Sequence, residues 1–479
     1  MTVRNTIGPW LITLASLLVS SCGEKTNDPN SSPETSKAEV GPSLVVGALA
    51  ILTVDTDDPG TSFEDSDTNL RIVNQDNSLR AFSSSLQIET NESAGLIKQG
   101  FTADLARINP VTGDIFVILT DGQTGPWSEC SILKAAKDAT AYSCAVDKTN
   151  IFSFYDNNNN NQQGQLRQKF YIKFDGLGNS FYMAQTDAER DSDTSPKIYK
   201  IPAAGGANTV HVEVQSAHFI RGMDANRAGA LFYWTLATEG DDLVEINIVR
   251  PDGVTVALPP ADSQNRTTKM IFFAVDRYDG LIYCPEIDST SHHHIYKLAF
   301  DEQYAVTQTL NMTEDEPSGP SQISWPASPK LDNTGRLFIR ANESTETGDN
   351  APHLYVFNIT KTNDSFSSTM AMVSDISEQV QSYTRAGDDV FYDGFMIGDE
   401  SSRFFYKRPI AGGSATDLRT SLQNTALTQL TEDSASNTLL IACDPETLGS
   451  CKWGSIIPGS NTVSVTSGLG KVRDLQPAL

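Results

Sequence analysis

The stretch LDNTGRLFIR, residues 331–340, sets the pattern of the chain: an acidic turn-former, a glycine three positions on, then a run of large apolar residues. Its counterparts recur on both sides. INPVTGDIFV ends at Val117, FDGLGNSFYM at Met183, MDANRAGALFYW at Trp234 and VDRYDGLIYC at Cys284; TRAGDDVFYD ends at Asp393 and TEDSASNTLLIA at Ala442. The turn residues are Gly113, Gly178, Gly229, Gly280, Gly335, Gly387 and Asn437, spaced by 65, 51, 51, 55, 52 and 50. Glycine supplies positive φ at a hairpin, and asparagine is its best substitute. An Asx residue three to five positions earlier recurs as Asn109, Asp175, Asp224, Asp276, Asp332 and Asp433. These are read as turn caps whose side chains accept backbone N–H groups, in preference to a ring of catalytic aspartates. The Gly387 unit lacks this residue.

A second motif follows 16 to 21 residues beyond the glycine, as Ile198-Tyr199-Lys200, Ile295-Tyr296-Lys297, Leu354-Tyr355-Val356 and Phe405-Tyr406-Lys407. Each unit then reads strand, glycine turn, strand, loop, tyrosine strand, turn, strand. From residue 43 onward there is no long helical stripe. Over residues 100–479 this arrangement resembles the β-propeller superfamily, without the WD dipeptide or the tryptophan-docking repeat of particular subfamilies. The resemblance implies an all-β fold, a β-propeller of eight (or seven) four-stranded blades. Residues 43–479 divided by the mean spacing give about eight units, although seven turns are visible. The C-terminal KVRDLQPAL, residues 471–479, is expected to supply the innermost strand of the last blade. Its other strands are expected from residues 44–54, 70–73 and 79–88, which would pin both termini and remove free sheet edges. Seven blades with an N-terminal appendage is the close alternative. A pair of β-sandwiches would not account for the regular spacing.

The N-terminus reads as an address. Arg4 precedes an apolar run, residues 10–19, too short to span a bilayer, so residues 1–21 form a secretory signal. The sequence Val19-Ser20-Ser21-Cys22 resembles the lipobox of bacterial lipoproteins. That resemblance implies cleavage before Cys22, a diacylglycerol thioether on its sulfur and an acylated amino group, a multi-chain anchor in the bilayer. An ordinary cleaved signal with an incidental cysteine is the alternative. Gly23, where the family uses aspartate for inner-membrane retention, points to the outer membrane of the cell envelope, facing either the periplasm or the surface. Residues 22–42 hold too little apolar material to fold and form a tether; residues 43–479 are the propeller.

The chain has 60 acidic and 35 basic residues, a net charge of −25. That excludes nucleic acid as a partner and adsorption to anionic lipid through a basic face. Beyond Cys22, Cys130 and Cys144 are placed to close one local disulfide, and Cys443 and Cys451 another, as an oxidising compartment allows. Cys284 is read as a buried strand thiol. His292, His293 and His294 are read as a solvated loop, Asp55, Asp57, Gly60, Asp65 and Asp67 as an acidic loop, and Asp156 to Gln163 as a polar insertion. No catalytic, cofactor-binding or metal-ligating residue is assigned and no cofactor is expected, since GxSxG and phosphate-loop motifs are missing. Polar residues near inner strands are Arg221, Asp276, Arg277, Lys330 and Arg385. The expectation is a lipoprotein whose rigid propeller binds or scaffolds a protein, peptide or glycan. The alternative is an extracytoplasmic hydrolase or lyase acting on a sugar or lactone.

Overall fold

The strand Ser180–Ala184 is buried at every residue. Its side chains alternate: Phe181 and Met183 pack toward the following sheet, Tyr182 and Ala184 toward the preceding one. A strand that is apolar on both faces needs a sheet on either side of it. The computed structural model supplies those neighbours repeatedly. It describes residues 48–55, 67–74, 79–81, 88–89, 106–118, 130–136, 141–147, 172–184, 195, 197–214, 218–237, 244–258, 269–286, 293–313, 323–332, 334–343, 351–422, 425–432, 437–443, 451–457, 459–469 and 472–477. Residues 1–47 lie outside the described residues, and those described belong to one unit, residues 40–479.

Among the described residues, seven sheets each consist of four antiparallel strands that follow one another in the chain. We number these blades 1 to 7. Their first strands are Ala106–Ile108, Ile172–Phe174, His218–Ala225, Lys269–Val275, Ile323–Leu331, Glu378–Ala386 and Ala426–Glu432. The tyrosine motifs fall on third strands, as expected, and Tyr199 and Tyr296 lie opposite Tyr182 and Tyr283 of the second strands. Separate apolar clusters fill the gaps between blades 1 and 2, 2 and 3, 3 and 4, 4 and 5, 5 and 6, and 6 and 7. The described residues contain no α-helix, and none of their helices is long and apolar enough to cross a membrane.

An eighth sheet joins the two ends of this unit. Strand Val472–Pro477 pairs with Ala48–Asp55, which pairs with Asp67–Asn74, which in turn pairs with Leu79–Ala81. Val472–Pro477 lies between the first strands of blades 7 and 1, so it takes the innermost place. The side-chain amide of Gln429, in blade 7, clasps the Leu475 backbone: its Oε1 accepts from the Leu475 N–H (3.2 Å) and its Nε2 donates to the Leu475 carbonyl (3.1 Å). The closure expected from KVRDLQPAL is present.

Consecutive antiparallel strands dictate what lies on each face of the disc. First-to-second and third-to-fourth connections emerge on one face and are short, the longest being residues 202–208 and 457–463. Second-to-third connections and blade-to-blade links emerge on the other, and include 119–129, 148–171, 185–196, 259–268 and 312–322. We call these the turn face and the loop face.

The hairpins of the turn face follow the expected chemistry with two corrections. Asp175 Oδ1 accepts from Leu177 N (3.0 Å) and Asn179 N (2.8 Å), and Asp332 Oδ1 from Thr334 N and Arg336 N (both 2.8 Å). Asn109 and Asp276 cap in the same way. In blade 3 the cap is Asn226, not Asp224, because a three-residue turn needs its acceptor three positions before the left-handed residue Gly229. In blade 4 the left-handed residue is Asp279 (φ 58°), not Gly280. Gly280 is needed for space, since a Cβ there would sit 2.7 Å from Lys297 Nζ and from the Leu298 carbonyl. Blade 6 turns on two residues, with Gly387 at φ 60°, and so needs no cap. Asp433 lies outside the described residues.

Candidate functional site

On the turn face, successive hairpins dock on one another. Asn109 Nδ2 donates to the Gly178 carbonyl (2.8 Å), Gly176 N to the Asn226 carbonyl (3.1 Å), and Arg227 N to Asp279 Oδ1 (2.9 Å). Asp224, displaced from capping, accepts from Val275 N of blade 4 (2.9 Å) and pairs with Lys173 of blade 2 (3.2 Å). Asp276 and Lys297 form an ion pair with both side chains about 1% exposed. Burial pulls the Lys297 ammonium down, opposed by Asp276, and the Phe366 ring lies 4.3 Å away. Removing one member of such a pair strands the other charge. Arg277 stacks on Tyr278 at 4.7 Å.

A polar group spans the first strands of blades 5 to 7. Blade 5 runs WPASPK, residues 325–330, and its pairing slips twice around Ala327. Ser328 there has φ 54°, a strained value for a side-chain-bearing residue, and its carbonyl accepts from the Tyr383 hydroxyl. This irregular stretch sends Lys330 across to the Tyr383 carbonyl (2.5 Å) in blade 6 and the Leu430 carbonyl (3.3 Å) in blade 7. Burial pushes the Lys330 amine down to about 8. Beside it, Arg385 bridges Asp332 (3.0 Å) and Glu432 (3.4 Å), tying three blades together. Burial raises Asp332, but hydrogen bonds from Arg336 N–H and the Thr334 hydroxyl outweigh it and hold the carboxyl below its usual range.

Toward the loop face, the first strands of blades 3, 4, 6 and 7 each carry a one-residue bulge, at Arg221, Ile271, Gln381 and Thr428. Bulges bend a strand and re-aim its side chains. In blade 6 the bulge is stapled by Asp393, which accepts from Ser382 N (3.1 Å) and the Ser382 hydroxyl, while Arg340 donates to the Gln381 carbonyl (2.5 Å). Burial pushes Asp393 up to about 6. Gly394 admits the bulge, because a Cβ there would sit 1.9 Å from the Gln379 carbonyl oxygen. Of the three histidines, His293 is buried and His294 half-buried, where the sequence suggested a solvated loop. His294 Nδ1 lies 3.3 Å from both Asn311 Nδ2 and the Thr313 hydroxyl. No cluster of three metal-ligating residues occurs among the described residues.

Of the polar residues singled out in the sequence, the structure brings Lys330 and Arg385 into one group, uses Asp276 and Lys330 in contacts between strands and blades, and sets Arg277 against its chain neighbour Tyr278. Arg221 sits at its bulge, half-buried. The network missed in the sequence is Asp332–Arg385–Glu432 with Tyr383; the signal for it was the pair Pro326 and Pro329 inside a strand. Cys130 and Cys144 lie on adjacent strands at disulfide distance, as do Cys443 and Cys451, which pair directly across strands two and three of blade 7. Cys284 is buried and free. Cys22, His292, Asp57, Gly60, Asp65 and residues 156–163 lie outside the described residues, as do the side chains of Asp55 and Asp67.

No protein-family profile matches the chain, and no curated protein matches it. Among solved structures it is similar to a puromycin hydrolase, at 9% identity and TM-score 0.46, over 75% of this chain and 52% of that one. It is also similar to the β-propeller domain of the Trilobed protease from Pyrococcus furiosus (9%, TM-score 0.39, 63% and 86%) and to a eukaryotic initiation factor (7%, TM-score 0.48, 90% and 98%). The chain spans about half the length of the puromycin hydrolase. These likenesses concern fold alone, and the blade assignment rests on the strand order and packing described above.

Proposed function

We propose that the protein is a lipid-anchored envelope protein, attached through acylated Cys22, that uses the loop face of its propeller to bind or scaffold a protein, peptide or glycan. The observation that carries this reading is the asymmetry of the disc. Hydrogen bonds and ion pairs between neighbouring hairpins tie the turn face together. The long connections, and the sequence motifs richest in Asp, Asn and His, all leave strand ends on the loop face. A rigid scaffold that offers long connections on one side is a binding arrangement. Attachment predicts that Cys22→Ala releases the protein from the membrane fraction; a mutant that stays membrane-bound refutes the anchor. Photo-crosslinkers placed in whole envelopes should give adducts from loop-face positions such as Ile376 and not from turn-face positions such as Ile457. Equal adducts from both faces refute the recognition face. The outer membrane, on either side, is the compartment this reading favours.

A second reading, a hydrolase or lyase acting on a sugar or lactone, has one observation on its side: a lysine amine near 8 on an axial strand, beside Tyr383 and Arg385. It requires that Lys330→Met abolish turnover of such a substrate while the fold persists.

A further inference from the structure

The path of the chain through the eighth sheet carries an inference about orientation, which rests on the lipid-anchor reading. Each first strand runs from the loop face to the turn face, because it is followed at once by its hairpin. The closing strand Val472–Pro477 follows the fourth strand of blade 7, Ser464–Leu469, whose end pairs with Cys451 at the loop-face start of the third strand. It therefore runs the same way, and Pro477 lies toward the turn face. Ala48–Asp55 is antiparallel to it, with Ala50 opposite Pro477 and Val54 opposite Val472. Ala48 also stands opposite Asn74, which precedes the turn-face connection 75–78. The first described strand, Ala48–Asp55, thus starts at the turn face, one strand out from the innermost strand of its sheet.

We infer that the protein hangs from the bilayer by its turn face and presents the loop face away from the membrane, toward a partner that does not lie on the same leaflet. A chain of the composition of residues 23–42 has a root-mean-square reach of about 25 Å, close to the thickness of a disc built from eight-residue strands, also about 25 Å. The leash is short enough for its point of entry to bias which face is near the lipid. The mature charge of −26, after loss of Arg4 with the signal, repels anionic headgroups and disfavours collapse onto the surface.

The test uses the acylated full chain in vesicles of phosphatidylethanolamine and phosphatidylglycerol that carry a headgroup-linked energy acceptor. Ile457 on the turn face is 66% exposed and Ile376 on the loop face 61%, so Ile457→Cys and Ile376→Cys each give one labelling site beside the buried Cys284. The expected result is co-flotation of both variants, with severalfold higher energy transfer from position 457 than from 376. Equal transfer, or higher transfer from 376, with co-flotation intact overturns the orientation and leaves the anchor standing. Failure of the unlabelled acylated protein to float with vesicles overturns both.

Discussion

Asp393→Asn isolates the contribution of one buried carboxylate at the blade 6 bulge. Asp393 is 7% exposed, and burial raises its carboxyl from 3.8 to about 6. Below pH 3.8 the group is neutral in both the folded and unfolded chain and costs nothing. Between about 4 and 6 the unfolded chain releases the proton and the folded one keeps it, so stability falls as pH rises. Above 6 both are ionised and the folded state carries the full penalty, about two pK units or roughly 3 kcal/mol. Asparagine removes the charge while its Oδ1 still accepts from Ser382 N–H and hydroxyl. The variant should therefore gain about 3 kcal/mol relative to wild type at pH 7.5 and less than about 1 kcal/mol at pH 4. Urea midpoints at the two pH values, with equal slopes, measure it. A stability difference that is the same at both pH values refutes the penalty. A variant less stable only at pH 7.5 shows that the ionised carboxylate holds the bulge through Ser382 more strongly than burial opposes it.

Two further outcomes follow from the closure and the cysteines. Gln429→Ala removes two hydrogen bonds to the buried Leu475 backbone and should lower stability by about 2 kcal/mol; an unchanged urea midpoint would show that the clasp adds nothing. Peptide mapping of the purified full chain without reductant should link Cys130 to Cys144 and Cys443 to Cys451, with Cys284 as a thiol, and free thiols at the first four positions would reject the pairing.

Much of the fold was legible because one hairpin recurs. A capped turn with a left-handed residue is a local device, and a local device repeated at near-constant spacing reports its own architecture. The terminal strand was legible for a related reason: seven turns in a chain long enough for eight units leave one sheet to be built from the ends. Legibility failed where a residue serves a neighbouring strand or blade. Asp224 sits within capping distance of Gly229 in sequence, yet its acceptors are engaged by Val275 and Lys173 across blade boundaries. Gly280 looks like a turn glycine, but the space filled by Lys297 is what demands it. Lys330 was visible only as a polar residue near an inner strand, because its partners are carbonyls 53 and 100 positions away. Asp393 closes its repeat in sequence as an ordinary strand residue, and only the bulge opposite makes it buried and bonded. The contacts of Asp224 and Lys330 depend on radial stacking and those of Gly280 and Asp393 on the register of strands within one blade, and no window of the sequence contains either.

The radial, end-closed ring can be tested by one engineered bond. Residues 52 and 475 face each other in the antiparallel pair of the eighth sheet, and opposed residues in such a pair lie about 4.5–5.5 Å apart at Cα, within disulfide reach. The chain carrying Leu52→Cys and Leu475→Cys, oxidised in dilute solution and mapped by mass spectrometry, should show an intramolecular 52–475 link in most molecules. Absence of that link, or a link formed only between chains, would contradict a propeller shut by its own two ends.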